Sequence, residues 1–242
     1  MVTPAQSWRL IRTWAAEPGF NMALDEALLL GTEARPTLRF YTWRPDALSL
    51  GYFQRFDEVA GKERAGALVR RLTGGGAIHH ARELTFSIVA SEEHPLYRGP
   101  VAESYDRVHR AIAAALAPLG IRAAPRGDAS LASDVEASGM CFHRSTAIDL
   151  AWEGRKGVGS AQRRTGGRVL HHGSIKVGHT PLDSGVATVG AHSPAEVADL
   201  VQASFAQAFA AAFREEPATD IELAHARERA DHFGSEAFLR RR

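Results

Sequence analysis

The sequence predicts an α+β fold. Its strand-like segments come in runs, in the order helix, strands, helix, strands, helix, where a doubly wound sheet would alternate strands and helices one for one. The 242 residues show no internal repeat and no long linker, so one domain over residues 1–242 is expected. Hydrophobic residues make up 45%, an ordinary globular value.

Each element carries its own signal. "GFNMALDEALLL" (19–30) reads as an amphipathic helix with Asn21 as N-cap and Asp25 and Glu26 near its start. "PTLRFYTWR" (36–44) alternates, with Leu38, Phe40 and Thr42 on one face and Arg39, Tyr41 and Trp43 on the other. "ALSLGYF" (47–53) reads as a second strand broken at Gly51, and "ALVRRL" (67–72) and "ELTFSIVA" (83–90) as two more. In 101–120, Tyr105, Val108, Ile112 and Leu116 recur at helical spacing, and Pro118 with Gly120 stop the helix. Residues 122–138 are rich in Ala, Ser and Asp, so a mobile loop is expected. Residues 139–154 and 155–177 suggest a β-meander with glycine turns. Over 193–213 a helix opens on a Ser193–Glu196 capping box with Pro194 at its first position, and Val197, Val201, Phe205, Phe209 and Phe213 line one face.

Charge and cysteine content narrow the function. Lys plus Arg total 29 against 28 acidic residues, for a net charge of +1. A broad nucleic-acid surface is therefore not expected. The one cysteine excludes an intramolecular disulfide, which fits a reducing compartment. The first residues lack the apolar core of a signal peptide. No stretch approaches the roughly 18 apolar residues that a membrane span needs. A cytoplasmic protein, without a membrane or nucleic-acid partner, is expected.

"VRRLTGGGAIHH" (69–80) is the densest segment. Three adjacent glycines let a ligand approach the main chain. Arg70 and Arg71 on a strand point to opposite faces, so at most one reaches a site there. A Walker loop needs G-x-x-x-x-G-K-[ST] opening a helix, and these glycines precede a strand. The dinucleotide fingerprint fails for the same reason. His79 and His80 diverge on an extended chain, as do His171 and His172. No carboxylate or cysteine spacing completes a ligand set, so no metal is expected. A ligand loop and a glycine hairpin with incidental histidines both remain open.

Cys141 lies in "GMCFHRS". A free cysteine usually packs as a small hydrophobe. On an extended chain His143 would point the same way as Cys141, with Arg144 following. Thiolate is the form that makes thioesters, so acyl transfer is the chemistry such a site suggests. Lys156 sits in "EGRKGVGSAQRR" between glycines. It reads as a solvated turn residue or, in a cleft, as an ammonium donor to a carbonyl or phosphate oxygen.

Four blocks, "NMALDEALL", "RFYTWRPDALSLGYFQ", "RRLTGGGAIHHARELTFSIV" and "GRKGVGSAQRRTGGRVLHHGSI", appear in one order over roughly residues 19–177. Together they resemble the biotin/lipoate protein ligase family, in its lipoate-metabolism branch. The resemblance implies a central, largely antiparallel or mixed sheet flanked by helices. That is the architecture of biotin protein ligase and class II aminoacyl-tRNA synthetase catalytic domains. It places Arg71, Gly74, Gly75 and Gly76 against the acyl chain and its activated carboxyl end, with His79 as the family's histidine. The family usually has Asp after that histidine, whereas this chain has His80. Lys156 matches the family lysine at the acyl carbonyl, and Gly159, Ser160 and Ala161 continue that motif.

Two activities share the scaffold, and the resemblance carries both. Cys141 stands where one octanoyltransferase subgroup has its nucleophile, shortly before the G-R-K block. That reading implies transfer of octanoate or lipoate from acyl carrier protein through an acyl-cysteine. The acceptor is a lysine of a lipoyl domain of a 2-oxoacid dehydrogenase or of glycine-cleavage H protein, with no cofactor. Arg163 and Arg164 would contribute a basic patch for the acidic carrier. The alternative is a lipoate–protein ligase that uses ATP and Mg, makes lipoyl-adenylate, and leaves Cys141 incidental. The triple glycine resembles the ligases. The chain is short for a ligase with an accessory domain, which favours the transferase. A non-catalytic acyl- or carrier-binding scaffold is the third reading, suggested by His80.

Overall fold

The computed structural model describes residues 6–135 and 138–241. The elements in chain order are β1 (Gln6–Ala16), α1 (Pro18–Leu30), β2 (Thr37–Trp43), β3 (Ala47–Leu50), β4 (Ala67–Arg70), β5 (Ile78–His80), β6 (Glu83–Ser91), α2 (Val101–Leu116), β7 (Ala124–Pro125), β8 (Leu150–Trp152), β9 (Arg155–Thr165), β10 (Arg168–Lys176), α3 (Pro194–Ala208), β11 (Ala211–Glu215), α4 (Asp220–Gly234) and α5 (Glu236–Leu239). The strands form an eight-stranded sheet in the order β11-β1-β2-β6-β10-β9-β8-β7 and a three-stranded one in the order β4-β3-β5. In the large sheet β1 runs parallel to both β11 and β2, and the remaining pairs are antiparallel. The fold is thus mixed α+β, with helices on both faces of the large sheet.

Strand alternation decides which side chain meets which helix layer. On β2, Leu38 and Phe40 join Phe86, Ile88, Val108, Ile112, Val201 and Phe205 in a core under α2 and α3. Tyr41 faces the other way, with Met22, Leu24, Leu28 and Phe233 under α1 and α4. Each fully buried Leu, Val or Phe in these layers contributes about 1.5–3 kcal/mol of transfer free energy.

Several elements differ from their sequence readings. α1 begins at Pro18, whose missing N–H suits the first helical position, after Glu17 as N-cap. Asn21 is therefore inside the helix, buried, with its side-chain amide donating to Thr42 O at 3.1 Å. α3 stops at Ala208, and Ala210 takes a φ of 48°. Phe213 then lies on β11 and meets Trp8 edge-on at 5.6 Å. Residues 141–143 form a 3₁₀ turn, so Cys141 and His143 do not share a strand face. Part of 122–138 is built: Ser133 is buried, and its hydroxyl accepts from Lys156 N at 2.9 Å. Residues 136 and 137 of that segment lie outside the described residues.

Candidate active site

The glycine segment meets the cysteine turn through main chain. Ala77 N donates to Gly139 O at 2.9 Å, and Cys141 N donates to Ala77 O at 2.7 Å. Gly76 permits this approach, since a Cβ there would stand 2.9 Å from both Cys141 N and Gly139 O. Gly159 does the same from β9, where a Cβ would stand 2.9 Å from Lys156 Cε and 3.5 Å from Cys141 Sγ. Gly74–Gly76, Cys141, Lys156 and Gly159, scattered over more than eighty residues of sequence, thus meet at one point.

At that point sit a sulfur and an ammonium. Cys141 is half-buried. Lys156 is 1% exposed. Its three protons have three short contacts: Cys141 O at 2.9 Å, Asp149 Oδ2 at 2.8 Å and Cys141 Sγ at 3.4 Å. Burial opposes the charge on Lys156. The Cys141 thiolate and the Asp149 carboxylate outweigh that penalty and hold the lysine pKa above its ordinary value. Asp149 is itself fixed by Thr146, which donates from its N–H at 2.7 Å and from its hydroxyl at 3.0 Å.

The sulfur opens onto a cleft of about 410 Å³ including its mouth. Met22, Tyr41, Trp43, Ile78, Ala161 and Gly173 supply its apolar wall; Ser49, Arg71, Gly74, Gly75, His80, Thr85, Ser160 and His172 complete the lining beside Cys141. A mostly apolar lining with a few convergent polar groups is the character of a small-ligand site.

Arg71 closes the glycine loop on itself. Its guanidinium donates to Ser49 O at 2.9 Å and to Gly74 O and Gly76 O at 2.7 Å each. Burial pulls its pKa down to about 10. Arg70 points the opposite way and donates to Gly51 O, Gln54 O and the carbonyls of Phe238 and Leu239, which docks α5.

The histidine at the cleft is His80, not His79. β5 alternates, so Ile78 and His80 face the cleft while His79 faces away, bonded to Thr180 and Asp46 at 2.9 Å each. His79 is therefore corrected from a cleft contact to a support behind it. His80 stacks on Trp43 with ring centres 4.0 Å apart. Its Nδ1 donates to Glu83 Oε1 at 2.6 Å, and its Nε2 accepts from Ser49 Oγ at 2.7 Å. Burial holds its pKa below the ordinary value, which matches this neutral tautomer.

Ser160 closes the floor. Its hydroxyl donates to His109 Nε2 at 2.7 Å and accepts from His171 Nε2 at 3.0 Å. His109 Nδ1 donates to Ile148 O at 2.6 Å, and Gln162 Nε2 donates to His171 Nδ1 at 3.2 Å. The chain of donors is satisfied only with both rings neutral, and burial keeps both pKa values low. His172 points to the opposite face, toward Asp25 and Thr73.

Sequence reasoning brought Cys141, Lys156 and the glycines forward and missed Asp149, Trp43, His80 and His172. The "GRK" block signals its lysine. Nothing in "TAIDLAW" marks Asp149 as the carboxylate that will meet it.

Fold and site define a class: a mixed sheet carrying a mostly apolar cleft with a cysteine–lysine pair at its head. The lipoyl protein ligase A/B catalytic domain family matches residues 17–223, and the chain belongs to that family. A curated relative from Moorella thermoacetica, named Octanoyltransferase LipM, is 45% identical over 71% of this chain and 66% of its own length. The relative of the same name from Bacillus subtilis is 41% identical over 70% and 65%. The chain thus spans a little under two thirds of the length of these relatives. Among solved structures, a T. acidophilum protein described as a proposed lipoate protein ligase is similar at TM-score 0.79 and 27% identity, over 96% of this chain and 98% of its own. A structure of lipoate-protein ligase A bound with ATP is similar at TM-score 0.76 and 25% identity, over 97% and 98%. Among the described residues, no helix is long and apolar enough to cross a membrane.

Proposed function

We propose that this protein is an acyltransferase. It moves an octanoyl group, or the related lipoyl group, onto a lysine of a lipoyl domain or of glycine-cleavage H protein through a thioester on Cys141. The observation that carries this reading is the Lys156 ammonium 3.4 Å from the Cys141 sulfur, at the head of an apolar cleft. The relatives named octanoyltransferase support it.

The steps follow from the geometry. The Cys141 thiolate attacks the carbonyl carbon of an acyl thioester on acyl carrier protein. Negative charge develops on the carbonyl oxygen, and Lys156, whose third proton already faces the sulfur, donates to it. The carbon–sulfur bond to the carrier then breaks. The departing carrier thiolate takes a proton from Lys156, leaving octanoyl-Cys141. In the second half the neutral amine of the acceptor lysine attacks the same carbon. The bond to Cys141 breaks, the amide forms, and the proton shed by the amine returns to Lys156. Arg71 keeps Gly74–Gly76 folded along the acyl chain, with Gly159, Ser160 and Ala161 on the opposite wall. No ATP or metal enters this sequence.

Incubation with octanoyl-carrier protein, without ATP, should add one octanoyl group to the protein by intact mass. Cys141→Ala should abolish the gain. A gain that persists in Cys141→Ala removes the nucleophile. Modification of the acceptor only with ATP, Mg and free lipoate would assign the adenylate-forming ligase reaction instead.

A further inference from the structure

Two arginines converge on one tyrosine beside the glycine loop. On β9, Gly159, Ala161 and Arg163 turn to the same face. Gly159 faces the Cys141 sulfur and Ala161 lines the cleft. Arg163 follows about 13 Å from Gly159, at the strand rise of about 3.3 Å per residue. Its guanidinium donates to Leu72 O at 3.2 Å and lies 4.8 Å from the centre of the Tyr52 ring. Arg241, brought in beside α5, lies 4.0 Å from the same ring. Together these guanidinium groups, Arg241 first, hold the Tyr52 hydroxyl below the ordinary tyrosine pKa. Arg240 is paired with Glu236 and Asp57, whereas among the described residues no carboxylate forms a salt bridge with Arg163 or Arg241. Phe53 adds an exposed apolar surface: it is 62% exposed, meets Tyr52 edge-on at 5.0 Å, and lies 3.8 Å from where a Gly74 Cβ would be.

Two guanidinium groups held on an aromatic face, with no carboxylate partner among the described residues, suit a phosphate. The spacing suits one kind of phosphate. The main-chain separation of Gly159 and Arg163, four residues of strand, is of the order of an extended pantetheine arm, whose amide units share peptide bond geometry. We propose that Arg163 and Arg241 bind the phosphate at the root of the acyl donor's phosphopantetheine arm, so that its thioester end reaches Cys141. The proposal rests on the transferase reading for the identity of the donor. Phosphate binding itself does not depend on turnover.

The test is calorimetry on Cys141→Ala protein with three probes: S-octanoyl-4′-phosphopantetheine, S-octanoyl-pantetheine and ATP. The phosphorylated thioester should bind about tenfold tighter than the unphosphorylated one, as two partly exposed ion pairs provide. Arg163→Ala and Arg241→Ala should each bring that ratio toward one, and the double variant should abolish it. Arg163→Lys, which keeps the charge, should retain much of it. Equal affinity for the two thioesters, or a ratio that survives the double variant, overturns the proposal. ATP binding tighter than the phosphorylated thioester and lost with both arginines also overturns it, by giving the site to a nucleotide. A different result sinks only the transferase reading: unmutated protein that leaves Cys141 unacylated by either thioester while the tenfold ratio holds. In that case the phosphate site stands.

Discussion

Asp149 is the residue on which the site's charge balance turns. It is buried, and it holds Lys156 at 2.8 Å. Removing one partner of a buried pair leaves an uncompensated charge, at a cost of about 3–5 kcal/mol. Asp149→Asn should therefore lower the unfolding free energy measured by urea denaturation by an amount in that range and slow alkylation of Cys141 by iodoacetamide at pH 7. Unchanged alkylation together with unchanged stability would show that Lys156 stays charged without it. At this scale the sequence showed residue types better than residue roles. Lys156 and the glycines sit in dense local motifs, so they stood out. Asp149 reaches the Lys156 ammonium, and Ser133 the Lys156 main-chain N–H, only through folding. The exchange of His79 for His80 is an error of parity. Two consecutive histidines are equivalent in a string, and only the register of β5, with Leu48 opposite His79, decides which faces the cleft.

Elements were legible where their signal was local. β2, β6 and β10 lie mid-sheet and carry apolar faces, so they read as strands. β1 and α4 obscured each other. Arg9, in β1, is 2% exposed and paired with Glu222 of α4 at 2.7 Å. A buried charge looks like surface until its partner, more than two hundred residues on, is placed. The first residues of β11, 211–213, were read as the end of α3 because Phe209 and Phe213 keep helical spacing. Pairing with β1, from Gln6↔Ala211 to Leu10↔Glu215, overrides that preference. The junction of β5 with the cysteine turn supplies the prediction at this scale. A methyl group at Gly76 would stand 2.9 Å from main-chain atoms on the cysteine side, which cannot yield as a side chain can. Gly76→Ala should cost about 1–3 kcal/mol, the range for overpacking, and should depress acylation of Cys141 more than Gly74→Ala, which meets only Phe53 at 3.8 Å. Equal activity in the two variants would mean that the junction is not needed for the chemistry.

Across the whole molecule, buried neutral histidines set the response to acid. His80, His109 and His171 all have pKa values held below the ordinary 6.5, His171 well below, and in each the first cause is burial. As pH falls through 6.5, the unfolded chain takes up protons on these rings that the folded chain refuses. The unfolded state then binds more protons, so stability falls with pH. Each such ring contributes up to about 1.4 kcal/mol per pH unit until its folded pKa is reached. The buried carboxylates act in a lower window. Asp25 and Glu83 are buried, which alone would raise them, but His172 and Arg39 outweigh burial at Asp25, and Lys176 and His80 do so at Glu83, so both are depressed overall. Their contribution is present above their ordinary values of 3.8 and 4.5 and is lost only as pH falls below those values toward the folded ones. Acid destabilisation should therefore begin near pH 6.5 and be histidine-driven down to about pH 5. His171→Gln removes the ring whose pKa is displaced furthest. Urea midpoints measured from pH 7.5 to pH 5 should show its stability curve flattened by up to one proton's worth relative to the parent, with the fall below pH 4.5 retained. A parallel curve for the variant would mean that His171 takes up its proton inside the folded protein, and the neutral chain from Gln162 through Ser160 to Ile148 would have to be abandoned.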